Sequence, residues 1–273
     1  MTVSAIDVWA QPAPGSAFRS PMFASLVKSA RAGDRVALAG SPDRITAAMT
    51  EAGVAKALLS AWYLQDGCMI SNQQIAEMVA QFPERLAGVA SVSLDDPNAA
   101  RTLEDNVKNH GFKALRIIPW VWNRPPNHVS YRPLFKKCIE LGIPYCTQVG
   151  HTGPRMPSEP GRPIPYVDEV ALAFPELKIV CGHIGHPWTD EMISLAWKYD
   201  NVFIDTSAYL PRYYPQQLTH FMNSYGQDKV LFGTNFPMLS FKDCVDQALD
   251  LPISDKAKSK FLSENARKVF GLP

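Results

Sequence analysis

Three of the six histidines, His151, His183 and His186, are the residues best placed to do chemistry. Two of them stand in the run Lys178-Ile-Val-Cys-Gly-His-Ile-Gly-His-Pro-Trp188. Ile179, Val180 and Cys181 form the short apolar stretch of a strand buried on both faces, and Gly182 ends it. His183 and His186 thus emerge into a loop at the end of a buried parallel strand, where α/β proteins gather reactive groups. His151 follows a second such run, Pro144 to Val149. An imidazole titrates near neutral pH, which suits a general acid or base. A lone histidine is more often a packing or capping residue. Two within four residues, between glycines at a strand end, favour a site. His110, His128 and His220 fall in helical or connecting segments and read as surface residues.

The elements that must position these imidazoles alternate along the chain. Val3–Val8, Val54–Trp62, Leu86–Val92, Phe112–Ile118, Pro144–Val149, the run from Lys178, Val202–Asp205 and Val230–Phe232 read as eight short apolar strands. Helical segments lie between them. Ser41-Pro-Asp-Arg opens one and Gly53 closes it; Ser71–Gln81 is another; Asp96 caps a third that Gly111 stops; Tyr131–Leu141 precedes Gly142. From Trp9 to Gly40 the pattern is long and irregular, and two helices, about Phe241–Leu249 and Ser254–Val269, end the chain. Such alternation without a linker or repeat predicts one domain over residues 1–273, a single (β/α)₈ TIM-like barrel with extra C-terminal helices. An open doubly wound sheet is the alternative, and no GxGxxG follows the first strand to support its dinucleotide-binding form.

Composition narrows the function classes. With 273 residues, 46% hydrophobic, 19% charged and a net charge of +1, the chain reads as a soluble globular protein. No basic stripe or long apolar run suggests nucleic acid or membrane as a partner. The start lacks the basic and apolar regions of a secretory signal. Cys68, Cys138, Cys146, Cys181 and Cys244 are odd in number and scattered, which predicts reduced thiols and a cytoplasmic location. A homodimer is a fair default for a barrel of this kind.

In a barrel the residues just past each strand converge on one face. Here these are Trp9, Gln11, Trp62, Arg116, Trp120, His151, His183, His186, Asp205 and Asn235, with Tyr209 among the aromatics on the same side. Arg116 could clamp a carboxylate with its planar fork, or close a salt bridge at the core rim. Asp205 could orient an imidazole or serve as a carboxylate base. Arg124, Arg155 and Arg212 lie in loops, where such residues are usually solvated. Trp122, Trp188 and Phe236 add to the aromatic supply. With the loops 11–40 and 150–166, these side chains predict a covered, largely apolar pocket for a small cyclic or aromatic molecule. No phosphate-cradling loop and no Gly-x-Ser-x-Gly elbow is present.

An ordered set of short motifs resembles the amidohydrolase-related branch of the amidohydrolase superfamily, the group of the aminocarboxymuconate semialdehyde and resorcylate-type decarboxylases. The set comprises Ile6-Asp7, Pro83-Glu-Arg85-Leu-Ala-Gly88, Gly111-Phe-Lys-Ala-Leu-Arg116, Gly182-His-Ile-Gly185, Asp205-Thr-Ser207, Phe232-Gly-Thr-Asn-Phe-Pro237 and Asn265-Ala-Arg-Lys-Val-Phe-Gly271. The resemblance implies a barrel with metal-assisted hydrolysis or decarboxylation at its mouth. It also exposes departures. The family's first strand ends Asp-x-His-x-His, with two metal-binding imidazoles, where this chain reads Asp7-Val-Trp9-Ala-Gln11. The family's metal-binding aspartate after the eighth strand is matched by Asn235, while His151 and His183 match the retained histidines. Asn235 alone would look like an engineered inactivation; with Trp9 and Gln11 beside it, a naturally altered site is the simpler account.

Catalytic zinc usually needs three protein ligands and an open water position. Two imidazoles and two neutral amides make a poor divalent site, so the expectation is a metal-independent enzyme with no cofactor. His183 and His151 would move the proton with Asn235 as the third catalytic group. Arg116, Trp9, Gln11, Trp120, His186 and Tyr209 would contact a small-molecule substrate, either in hydrolysis of an activated ester or lactone or in a decarboxylase-like lyase step. Two alternatives stand beside this reading: a mononuclear-metal hydrolase or decarboxylase ligated by His151, His183 and His186, and a non-catalytic ligand-binding barrel.

Overall fold

Buried, β-branched runs bounded by glycines become the inner wall of a barrel. The computed structural model describes residues 4–273 except Ser16 and Ser20. Its strands are β1 (Ala5–Ala10), β2 (Val54–Ser60), β3 (Trp62–Leu64), β4 (Gly67–Ile70), β5 (Leu86–Ala90), β6 (Ala114–Ile117), β7 (Tyr145–Gln148), β8 (Ile179–Gly182), β9 (Val202–Asp205) and β10 (Val230–Leu231). Eight of these form one sheet in the order β1-β2-β5-β6-β7-β8-β9-β10, each neighbour parallel. The sheet curls until its edges meet. Val8 N–H donates to Phe232 O at 3.0 Å and Asn235 N–H to Trp9 O at 2.8 Å. Ala10 also bridges Phe236 in parallel. This is the (β/α)₈ barrel expected, nearly closed by these contacts between its first and last strands. Its packing is tight at Gly88, where a Cβ would come within 2.4 Å of the Phe112 ring.

Several boundaries differ from the sequence reading. β1 runs on to Ala10, so Trp9 lies within the strand and not in a loop; Val3 falls outside the described residues. The second strand stops at Ser60, and Trp62 opens an antiparallel hairpin of β3 and β4. The stretch read as irregular to Gly40 contains two helices, Pro21–Ser29 and Gly33–Leu38, the second with no side-chain cap to announce it. Asp96 is not a cap. Its carboxylate accepts the Asn98 N–H at 2.8 Å in the preceding turn, and the helix starts at Ala99. Ser71 does cap its helix, in a full capping box with Gln74. The last helix is interrupted by a π turn over Lys260–Glu264. Within that turn the Phe261 carbonyl accepts the Phe232 N–H at 3.1 Å, which docks the C-terminus on the barrel beside β10. All five cysteines are free, and only Cys68 is exposed. No helix among the described residues is long and apolar enough to cross a membrane.

Candidate active site

At the C-terminal ends of the strands lies a cavity of about 190 Å³. β1 delivers Gln11 to it, β7 Gln148 and then His151, β8 His183, and the loops after β9 and β10 Tyr209 and Asn235. Phe18, Phe23 and Leu26, from the segment that follows β1, line its apolar side with Trp62 and Trp120. The backbone beneath these groups is unusual. His183, Ile184, Ala208 and Asn235 all have positive φ, at 74°, 51°, 69° and 64°. Non-glycine residues rarely adopt this region, and such strain gathers where a site over-determines the chain. It aims the side chains that follow Gly182 and Gly233 inward.

His183 is the best-held group in the cavity. Its Nδ1 lies 2.7 Å from the Ser207 hydroxyl, and among the described residues its Nε2 makes no hydrogen bond. Burial, with the nearby Arg116 charge and His151, pushes its pKa down to about 3, so the ring is neutral at pH 7. Gln11 Nε2 donates to Asn235 Oδ1 at 2.9 Å, and Trp120 Nε1 donates to Gln148 Oε1 at 2.9 Å. His151 is exposed at the mouth, its Nδ1 3.4 Å from the Tyr209 hydroxyl. Burial pushes the Tyr209 phenol up to about 12, keeping it protonated.

Three predicted contacts are not made. Trp9 is only 1% exposed and lies beneath the cavity, not in its wall. Its ring packs on the Arg116 guanidinium at 3.8 Å and tilts against the His183 ring at 5.2 Å. Gly182 makes room for it, since a Cβ there would come within 2.6 Å of the indole. Arg116 is no carboxylate clamp. It is fully buried on β6 and donates to the Val8 and Ala10 carbonyls at 3.1 and 3.4 Å. An arginine inside a closed barrel turns to backbone carbonyls because its charge must be hydrogen-bonded when desolvated. His186 is exposed at the rim, outside the cavity wall, its ring 5.6 Å from those of His151 and Tyr209. The cavity does bring together His183, His151, Asn235, Gln11, Trp120 and Tyr209. Sequence reasoning missed Gln148, whose signal was a polar residue ending the apolar run of β7, and Ser207, which no motif marked as a partner of His183.

The donor set does not suit a catalytic divalent ion. Among the described residues no three His, Cys, Asp or Glu side chains converge in a metal-binding group. Gln11 and Asn235 spend their facing atoms on each other. Trp9 is buried against the His183 ring, backed by the Arg116 cation, which repels a second positive charge. Asp7 is engaged by Trp9 N–H and by the N–H and hydroxyl of Thr234.

A family model described as amidohydrolase matches residues 6–272. The chain therefore belongs to the amidohydrolase family. A gamma-resorcylate decarboxylase from Polaromonas sp. is 24% identical, over 74% of this chain and 75% of the relative. Among solved structures, an uncharacterized TIM-barrel protein from Bordetella bronchiseptica superposes with a TM-score of 0.86 at 22% identity, covering 99% of both chains. A 5-carboxyvanillate decarboxylase from Novosphingobium aromaticivorans, complexed with manganese and a nitrobenzoic acid, gives a TM-score of 0.75 at 18% identity over 99% of this chain and 96% of the other.

Proposed function

We propose that this chain is an enzyme acting on a small aromatic or cyclic carboxylate, by decarboxylase-like lyase chemistry or by hydrolysis, with His183 handling the proton and no metal in the reaction. The single observation that carries the reading is the placing of a neutral, buried imidazole at the floor of an apolar cavity the size of one ring. An apolar cavity of about 150 Å³ holds a benzene molecule, so one of about 190 Å³ suits a ring with small substituents. The aromatic lining supplies stacking surface, and the resemblance to gamma-resorcylate and carboxyvanillate decarboxylases supplies the substrate class.

The proton chemistry follows from charge. A carboxylate bound beside His183 offsets the Arg116 field and raises the imidazole's proton affinity. In decarboxylation, the ring carbon that loses carbon dioxide must gain a proton, and the protonated His183 Nε2 would deliver it. In hydrolysis of an activated ester or lactone, the neutral Nε2 would take a proton from water. Gln11, Gln148 and Asn235 orient the substrate's oxygens through neutral amides. His151 and Tyr209, at the mouth, connect the site to solvent.

The second reading is a manganese-dependent decarboxylase, favoured by the manganese in the Novosphingobium structure. It requires ligands from His151, His183 and His186. One experiment separates the two. Chelator-treated protein is given hydroxybenzoate-type acids and small lactones, with carbon dioxide release and ring absorbance followed. Turnover without added metal that falls at least ~100-fold in His183→Ala is expected of a lost general acid–base group. Turnover that appears only on adding manganese would overturn the metal-independent reading.

A further inference from the structure

On the polar side of the cavity, acceptor atoms are taken up by neighbouring side chains and N–H groups are left over. We propose that His183 Nε2–H and the side-chain amide nitrogens of Asn235 and Gln148 form a donor-lined pocket that binds the oxygens of an organic anion, a carboxylate carried on a small ring. This deepens the proposed reading of the same cavity and rests on it for the ring.

Neighbours set the orientation of all three groups. The Ser207 hydroxyl is fully buried, and among the described residues its one partner is His183 Nδ1 at 2.7 Å. A buried hydroxyl with a single acceptor in reach gives its proton there. Were Nδ1 itself protonated, the hydroxyl proton would be left buried and unpaired, which is costly. His183 is therefore the Nε2–H tautomer. Nε2 has no partner among the described residues, and it is the end of the ring open to the cavity. Trp120 Nε1 can only donate, and it donates to Gln148 Oε1 at 2.9 Å. That fixes the Gln148 amide. Its Nε2 gives one hydrogen to His151 O at 3.5 Å and keeps the second for a ligand. Gln11 Nε2 donates to Asn235 Oδ1 at 2.9 Å, so Asn235 also presents its nitrogen, while Gln11 Oε1 is buried out of a ligand's reach. The remaining polar pair, Tyr209 and His151, meets at the mouth, hydroxyl to Nδ1 at 3.4 Å.

An anionic oxygen is the ligand that such a wall suits. Inward N–H groups stay unpaired until an acceptor enters, and hydrogen bonds to a charged acceptor are roughly twice as strong as neutral ones. Among the described residues no Asp or Glu lines the cavity to repel an anion, and no Lys or Arg lines it to form an ion pair. An ammonium group would meet donors only. Phe18, Phe23, Trp62 and Trp120 hold the ring. Within the proposed chemistry this favours the decarboxylase-like arm, because a ring nitrogen that already carries a proton takes none from water.

Affinity tests the pocket without turnover. Full-length, chelator-treated protein is titrated near neutral pH with benzoate, benzamide and benzylamine, which share a ring and present an anion, a neutral amide and a cation. Calorimetry should show benzoate binding at least ~10-fold more tightly than benzamide, as hydrogen bonds to a charged acceptor require, and no binding of benzylammonium. Asn235→Asp keeps the bond from Gln11 and puts an anionic oxygen in place of the donor. Benzoate affinity should then fall at least ~10-fold, with the preference passing to benzylammonium. If Asn235→Asp does not fold, Gln148→Glu, which keeps the bond from Trp120, decides by the same reading. Spectra of ¹⁵N-histidine-labelled protein, with His183→Gln for assignment, should show Nε2 protonated and Nδ1 bare. An Nδ1–H ring, equal binding of the three probes, binding of none, or benzoate affinity unchanged in the folded variants would overturn the donor-lined pocket. Absence of turnover on every acid tried would sink the proposed activity and leave these binding results standing.

Discussion

Burial, more than any partner, sets the protonation state of His183. Its folded pKa lies near 3, well below its ordinary value of 6.5. A histidine that is neutral when folded but charges when unfolded makes the unfolded chain bind more protons between those limits. Stability from this group is therefore present above about pH 6.5 and lost as the pH falls toward 3. Asp205, raised to about 7, acts oppositely, its contribution present at low pH and lost as the pH rises through 7. Comparing His183→Gln with the unaltered protein isolates the first effect. The variant should lose less stability between pH 7 and 4 in urea titrations; equal losses would show that His183 is not desolvated. At this scale the sequence was half legible. Histidines after apolar runs announced themselves, and Trp9 and Gln11 stood out against the resemblance. The direction of Arg116 did not. A side chain at a strand end points into the mouth or into the barrel according to its register, which the run of letters does not reveal.

Strand β8 and strand β1 meet across the barrel interior through Trp9, and Gly182 is the residue that lets them. Gly182→Ala places a methyl group within 2.6 Å of the indole. Overpacking of this kind typically costs about 1–3 kcal/mol. Thermal or urea unfolding of Gly182→Ala should show a loss of that size, with the His183 ring displaced; unchanged stability would mean that Trp9 is loosely held. Element existence was readable because buried parallel strands leave short apolar runs and helices leave caps, as at Ser71 and Gln74. The two helices between Pro21 and Leu38 were not, since the second lacks a side-chain cap and the first is set by packing Phe23 over the cavity. The β3–β4 hairpin was hidden for a similar reason, as Trp62 continues the apolar pattern of β2 past its end.

For the whole molecule the metal-independent reading predicts how stability responds to metal. A ligand that binds only the folded state raises stability by RT ln(1 + [L]/Kd), about 2.7 kcal/mol at a hundredfold excess over Kd. Chelator-treated protein should therefore melt at the same temperature with and without added manganese or zinc. A rise of several degrees with one of them would show a folded-state site and return His151, His183 and His186 to consideration as ligands.

What the sequence by itself determined is the architecture and which residues stand at the strand ends. Alternating apolar strands and helices at this length admit few closed solutions, and a barrel brings its strand ends to one face whatever the loops do. Tertiary structure alone decided which of those residues share a cavity. Arg116 turned inward to the Val8 and Ala10 carbonyls, Trp9 sank onto it, and Ser207 came within hydrogen-bonding reach of His183 from 24 residues away. These pairings follow from register and packing between strands distant in the chain, and such non-local geometry leaves no mark on local sequence.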